Sequence, residues 1–311
     1  MRRIALSALV TFALCAPAVA GKPSHGGGDT PPPNPQIAYE ALSGKSNKLI
    51  VSDENGTNAS TLYSSTPTFR FDLAPRSQRQ IAIMDSAVGT PLRLLTYDVT
   101  GSGTFAATSV VALDTGAYVP RRGSNVDFSP DGTKIAYACN TNNIDTEHLC
   151  VYDLTTQTAS EWGTDSFYWD LAWFKGGAAI AYSTEDADGV TRLHEIDGPG
   201  QTPSVVFETK GDLDIARANT DAHVNALVLD YHDTLGNALI GLWQDGTFLD
   251  SDLAHSSVGF FGELNCSDTE LAYQGPPNTS PDWYLRNLTQ GTQTIFSKSN
   301  LHWVQFWPTC S

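Results

Sequence analysis

Positive charge is scarce in this chain: 18 lysines and arginines face 34 aspartates and glutamates, a formal net charge of −16 over 311 residues. Nucleic-acid binding depends on basic patches that neutralise phosphates, so no nucleic acid is expected as a partner. Long apolar runs are missing as well. The longest, from Ile4 to Ala16, falls short of the ~20 residues that cross a bilayer as a helix. No extended stretch after it shows helical periodicity, which argues against a helical bundle. The signatures Gly-x-Ser-x-Gly, His-Glu-x-x-His and Cys-x-x-Cys do not occur, so no catalytic residue, metal or cofactor is assigned.

What is present begins with an export leader. Arg2-Arg3, the apolar run and Ala18-Val19-Ala20 read together as a cleavable signal peptide over residues 1–20, cut before Gly21. Lipid attachment at Cys15 is the weaker reading, because the preceding Leu14 is bulky. Losing Arg2 and Arg3 takes the mature chain to −18, a charge that keeps an exported protein soluble without requiring an acidic binding face. Residues 21–35, GKPSHGGGDTPPPNP, are rich in glycine and proline and form a flexible linker. The expected location is periplasmic or secreted, with no membrane span once the leader is removed.

The rest of the chain repeats. Residues 126–137 read VDFSPDGTKIAY, and copies aligned on the last three residues begin at Ile37, Ile81, Ile135, Ile180, Ala226 and Leu271. Their spacings of 44, 54, 45, 46 and 45 residues lie within or near the ~40–50 residues that four short strands need in one propeller blade. Within each copy a first strand meets a polar turn, as at Asp131-Gly132, and a second strand follows. A third and a fourth strand then close the unit, as in Leu149 to Thr156 and Thr292 to Ser297. Short apolar and β-branched runs between Asp, Asn, Gly and Thr turns support strands throughout.

The chain ends decide the topology. The first copy begins at its second strand, Ile37-Ala38-Tyr39, while a surplus first strand, Trp303-Val304-Gln305-Phe306-Trp307-Pro308, stands at the other terminus. Joined to the first blade, that strand closes a ring and leaves no end free for stray pairing. The repeated Tyr39, Tyr137, Tyr182 and Tyr273 then read as packing between blades.

The repeated phrase resembles the Pro-Asp variant of the Trp-Asp repeat, found in the six-bladed propeller domain of TolB-like proteins. The resemblance covers residues 36–311. Its Ser-Pro-Asp-Gly core is complete only at Ser129 to Gly132 and is degenerate at Ala74 to Ser77, Phe174 to Gly177 and Asn265 to Asp268. It implies an all-β, six-bladed propeller of four-stranded antiparallel blades and a protein- or peptide-binding role in the cell envelope. TolB proteins carry a separate α/β domain before the propeller; only the short linker is expected here, so contacts made through that domain are not carried over.

Four cysteines remain after export, and this architecture suggests two bridges. Cys139 ends a second strand and Cys150 lies in the following third strand, while Cys266 and Cys310 occupy similar turn positions in blades that adjoin in a closed ring. The carboxylates in Glu185 to Gly189 and Asp53 to Gly56 read as turn chemistry rather than calcium ligands.

Candidate binding residues come from the second position of the first strands. Alignment sets Asp72, Asp127, Glu263 and Gln305 beside the ring axis, with Ala172 in the fourth blade and Ala218 in the fifth. They either bind a ligand at the channel or satisfy buried backbone and water. Trp169, Trp173, Trp303 and Trp307 are the aromatic candidates for a channel mouth, against packing in the core. Two functions follow: a non-enzymatic, monomeric propeller binding an envelope protein or peptide, or a glycan-binding or glycan-cleaving, lyase-like one. Some polysaccharide lyases with related propellers use a histidine site with a metal; His148, His194, His223, His232, His255 and His302 are scattered here.

Overall fold

The computed structural model describes residues 37–52, 58–75, 78–87, 89–100, 104–121, 125–140, 147–164, 170–218, 225–256, 262–265, 269–274, 283–297 and 301–306. The expected leader and linker, the Asp53 to Gly56 turn, Cys266, Cys310, Trp169 and Trp307 lie outside these residues.

Polar turns cut the chain into 25 described strands in six sheets. The first blade holds β1 (Ile37–Ser43), β2 (Ser46–Ser52) and β3 (Ser60–Ser65). The second is β4 (Phe69–Leu73), β5 (Gln80–Asp85), β6 (Leu92–Val99) and β7 (Phe105–Ala112). The third has β8 (Val119–Pro120), β9 (Val126–Phe128), β10 (Lys134–Asn140), β11 (Glu147–Asp153) and β12 (Thr158–Thr164). Blade four runs through β13 (Leu171–Phe174), β14 (Ala179–Glu185), β15 (Val190–Ile196) and β16 (Ser204–Lys210), and blade five through β17 (Asp214–Arg217), β18 (Leu227–His232), β19 (Ala238–Gln244) and β20 (Thr247–Ser256). Blade six is β21 (Glu263–Leu264), β22 (Glu270–Gln274), β23 (Trp283–Asn287) and β24 (Thr292–Ser297).

The last strand, β25 (Leu301–Phe306), returns to the first blade. It pairs antiparallel with β1, Ile37 opposite Phe306 and Tyr39 opposite Val304, and completes the sheet β25-β1-β2-β3. The terminal strand therefore closes the ring as its sequence suggested. One addition was not foreseen. In blade three β9 covers β10 only as far as Tyr137, and β8 takes the remainder, with Pro120 opposite Cys139 and Val119 opposite Asn140.

Apolar side chains on both faces of each sheet are buried, because both faces meet a neighbouring blade. The buried residues fall into six clusters, each shared by two consecutive blades. Phe69, Phe71 and Leu73 of β4 pack back on Leu49 and Val51 of blade one, while Ala74 belongs with Phe128 and Tyr137 of blade three. The sixth cluster joins Trp283 of blade six to Ile37, Val304 and Phe306 of blade one, so closure is made by apolar burial as well as by strand pairing. Tyr137, Tyr182 and Tyr273 are buried in these layers and Tyr39 packs against the sixth.

The turns interlock from blade to blade. Asp131 Oδ1 accepts hydrogen bonds from Ser129 Oγ at 2.6 Å and Thr133 N at 3.0 Å, which closes the Ser-Pro-Asp-Gly turn. Gln78 Nε2 of blade two donates to Asp131 O at 2.8 Å. Its amide lies where a β-carbon on Gly132 would stand, and Gly132 has φ +67°, so only glycine suits that position. Asp186 is likewise occupied by its own hairpin: it accepts from Asp188 N at 2.9 Å, Val190 N at 3.0 Å and Arg192 Nη1 at 2.7 Å.

Cys139 and Cys150 are joined by a disulfide between β10 and β11, with Cα atoms 5.9 Å apart. They are diagonal neighbours, since Cys139 faces His148 and Cys150 faces Tyr137. Non-reducing peptide mapping is expected to recover Cys139 with Cys150 and Cys266 with Cys310; any cross-pairing between the two sets would contradict the blade order. Reducing the first bridge, whose ends are 11 residues apart, is expected to cost about 3 kcal/mol in the chain-entropy model, read as a lower urea midpoint.

Candidate functional site

From β21 through β25, β4, β9 and β13 to β17, the first strands of consecutive blades touch one another, so they line the ring axis. Each has a neighbour in its own sheet on one side only. Backbone N–H groups on the other side are buried near the axis and need acceptors. Carboxylates of the preceding blade supply them. Glu40 Oε1 accepts from Phe69 N at 3.2 Å, and Asp72 Oδ2 from Phe128 N at 2.6 Å. Asp127 Oδ2 accepts from Trp173 N, and Asp170 Oδ2 from Ile215 N at 2.6 Å. Blades one to five are thus stitched in order by one repeated interaction.

Register against the second strands puts the proposed tier on a common level. Asp72, Asp127, Ala172, Glu263 and Gln305 stand opposite Ala82, Ala136, Ala181, Ala272 and Ala38. In the fifth blade the residue at this level is Ala216, opposite Val228, and not Ala218. The degenerate copy aligns one residue later than its sequence suggested, on Leu227-Val228-Leu229, because the apolar run there fits either frame.

Asp72 and Asp127 are 5% and 6% exposed and each gives one carboxylate oxygen to the neighbouring blade. Gln305 is buried as well, and its Oε1 has no hydrogen-bond partner among the described residues. Glu263 and Trp303 lie on β21 and β25 at the positions expected. Trp173 is fully buried, edge-on to Trp162 with ring centroids 5.2 Å apart, so its ring offers no surface to a ligand. His148, His194 and His232 sit on β11, β15 and β18, the second and third strands of their blades, away from the axis.

A second tier, not read from the sequence, lies two residues earlier in the first strands. It contains Arg70, Asn125, Asp170 and Asp214. Here charges from four blades feel one another. Burial lowers the Arg70 guanidinium, while Asp170, Glu40 and Asp214 act to raise it. Burial pushes Asp214 up to about 7, with the Asp212 charge adding to the effect and Arg70 opposing it. Asp170 is held well above the usual carboxylate range by burial and by Asp214, against the backbone bonds from Ile215 and Leu171 and the charge of Arg70. Glu40 is pushed up to about 7 by burial, opposed by the Phe69 bond and Arg70. The mouth where the inner strands begin therefore holds one guanidinium among several carboxylates, two of which titrate near neutrality. Such a group can receive a cationic side chain or amino terminus and can exchange protons near pH 7.

Comparison of the fold with solved structures agrees with this architecture. TolB from Acinetobacter baumannii superposes with a TM-score of 0.64 at 15% identity over 88% of this chain, which spans 66% of that protein. The fold is that of a TolB-like six-bladed propeller. A putative TolB from Agrobacterium tumefaciens gives 0.61 at 13% identity, covering 86% of this chain and 90% of that one. An oligogalacturonate lyase in complex with manganese gives 0.55 at 14%, covering 86% and 80%. At these identities the likeness concerns the fold. No protein-family description and no curated protein matches the sequence. Among the described residues no group of three or more His, Cys, Asp and Glu side chains stands together in a way that could hold a metal ion, and no helix is long and apolar enough to cross a membrane.

The raised carboxylates fix the sign of a pH dependence. Between the unfolded value near 4 and the folded value near 7, Glu40 and Asp214 bind more protons folded than unfolded. Their contribution to stability is therefore full in mild acid and lost as pH rises through that window. The melting temperature is expected to fall from pH 5 to pH 8, and Glu40→Gln is expected to flatten the fall; Glu40 alone accounts for on the order of 3 kcal/mol. A melting temperature that rises over that range would contradict the placement of these groups. Asp127→Ala, which orphans Trp173 N, is expected to cost about 1–3 kcal/mol in urea unfolding, and an unchanged midpoint would show that the stitch carries no weight.

Proposed function

We propose that this chain is an exported, non-enzymatic propeller that binds another protein or peptide of the cell envelope at the channel mouth where its inner strands begin. One observation carries the reading: Arg70, Asp170, Asp214 and Glu40, from blades two, four, five and one, interact at that mouth. Burying several ionisable groups is costly, and bonds to the backbone of the next blade account for Glu40 and Asp170 but not for Arg70 and Asp214. Groups with perturbed titration gathered in a concave place are where recognition and chemistry concentrate. Glu40, Asp170 and Asp214, whose burial favours the protonated form, would ionise against a partner that presents a lysine, an arginine or a free amino terminus. Likeness of fold to TolB proteins supports the same role by analogy. The export leader read at residues 1–20 fits a protein of the periplasm or of the space outside the cell.

The test is affinity capture from envelope extract with the wild type, Arg70→Ala and Asp214→Asn, at two salt concentrations. A protein held by the wild type, released by high salt and not held by either variant supports the mouth as the site. Capture that is absent, or equal in all three, rejects it. The similarity to an oligogalacturonate lyase favours a second reading, glycan cleavage. Incubation with oligogalacturonate, followed by absorbance of unsaturated ends, decides between the two, since a binding module releases none.

A further inference from the structure

A cleft of about 750 Å³ opens between blades two and three, away from the inner-strand mouth. Ligand pockets of this size are ordinary, about 300–1,000 Å³. Its blade-two wall is the end of β7 with the turn after β4, and its blade-three wall is the Ser-Pro-Asp-Gly turn with the end of β11 and the turn beyond. The walls are held in place. Leu113 N bonds Leu92 O at 2.8 Å, Leu154 N bonds Thr133 O at 2.9 Å, and Gln78 ties one wall to the other through Asp131 O.

The chemistry of the lining is selective. Among the described residues Gln78, Gln80 and Gln157 contribute primary amides, Thr133 and Thr155 hydroxyls, and Asp114 a single charge. Among the described residues no lysine, arginine or histidine lines the cleft, so an anionic ligand would meet no counter-charge from them on a chain that is already strongly acidic. Amides and hydroxyls donate and accept at once, and so do the hydroxyl groups of a sugar. Leucine side chains at positions 94, 113 and 154 supply apolar surface for the C–H faces of a sugar ring. A peptide backbone would instead seek a strand edge, and the cleft offers side chains.

We infer that the cleft between blades two and three binds a short neutral oligosaccharide, independently of the channel mouth. Saturation-transfer NMR and calorimetry with maltose, cellobiose, lactose and diacetylchitobiose test this, with digalacturonate and trialanine as controls. At least one neutral disaccharide is expected to bind. Its affinity is expected to fall about tenfold or more in Gln80→Ala and in Thr155→Trp, a substitution at an exposed turn position that fills the cleft. Thermal melting of each variant verifies folding, and Asp214→Asn at the channel mouth is expected to leave saccharide binding unchanged. The inference is overturned if no neutral disaccharide binds, if both cleft variants bind as the wild type does, or if only digalacturonate or trialanine binds. Because the channel-mouth variants are read by protein capture and the cleft variants by saccharide binding, either reading can fail alone.

Discussion

A buried carboxylate accepting the backbone N–H of the next blade is the interaction on which this molecule depends. Each inner strand has a sheet neighbour on one side only, so its remaining N–H groups face the crowded axis without a strand to pair with. Leaving them bare would cost more than any single apolar contact returns. Glu40, Asp72, Asp127 and Asp170 meet that need in four successive interfaces. The ring is therefore held at its centre by polar bonds and, further out, by six apolar layers.

This division of labour explains where binding sites are available. Asp72 and Asp127 had two candidate roles, ligand binding or backbone satisfaction, and the structure shows each with one oxygen committed to the second. One tier away, at the mouth, Glu40 and Asp170 share that task, and Arg70 comes within electrostatic reach of Asp170 and Asp214 from across the axis. Burial in that tier pushes Glu40 and Asp214 up to about 7, where they can respond to a partner. The cleft between blades two and three arises differently, from interlocked turns that hold two blade ends apart.

Much of the architecture could be read from local residue order. The surplus segment from Trp303 to Phe306 announced closure, and Cys139 and Cys150 announced a bridge across one hairpin. Both inferences work because a strand and its nearest turn are set by neighbours in the chain. The fifth blade shows the limit: Ala226-Leu227-Val228 and Leu227-Val228-Leu229 are equally apolar, and only pairing of Val228 with Ala216 chose between them. The inner-tier carboxylates were legible as a set, because Asp72 and Asp127 share a motif position. Arg70, Asp170 and Asp214 were not, because they share a level in space and no repeated motif.

Sequence alone determined the repeat, the number of blades, the all-β class and the way the ends join, since each follows from periodic alternation of apolar runs and turns. Tertiary structure decided what every polar side chain at the axis does. A carboxylate in a strand is the same residue whether it caps a backbone N–H, faces an arginine from an opposite blade or meets water. Its role is set by groups more than forty residues distant, such as Phe128 for Asp72 and Ile215 for Asp170. Those neighbours exist only once the ring is closed, because burial and long-range electrostatics depend on distance in space and not on order along the chain.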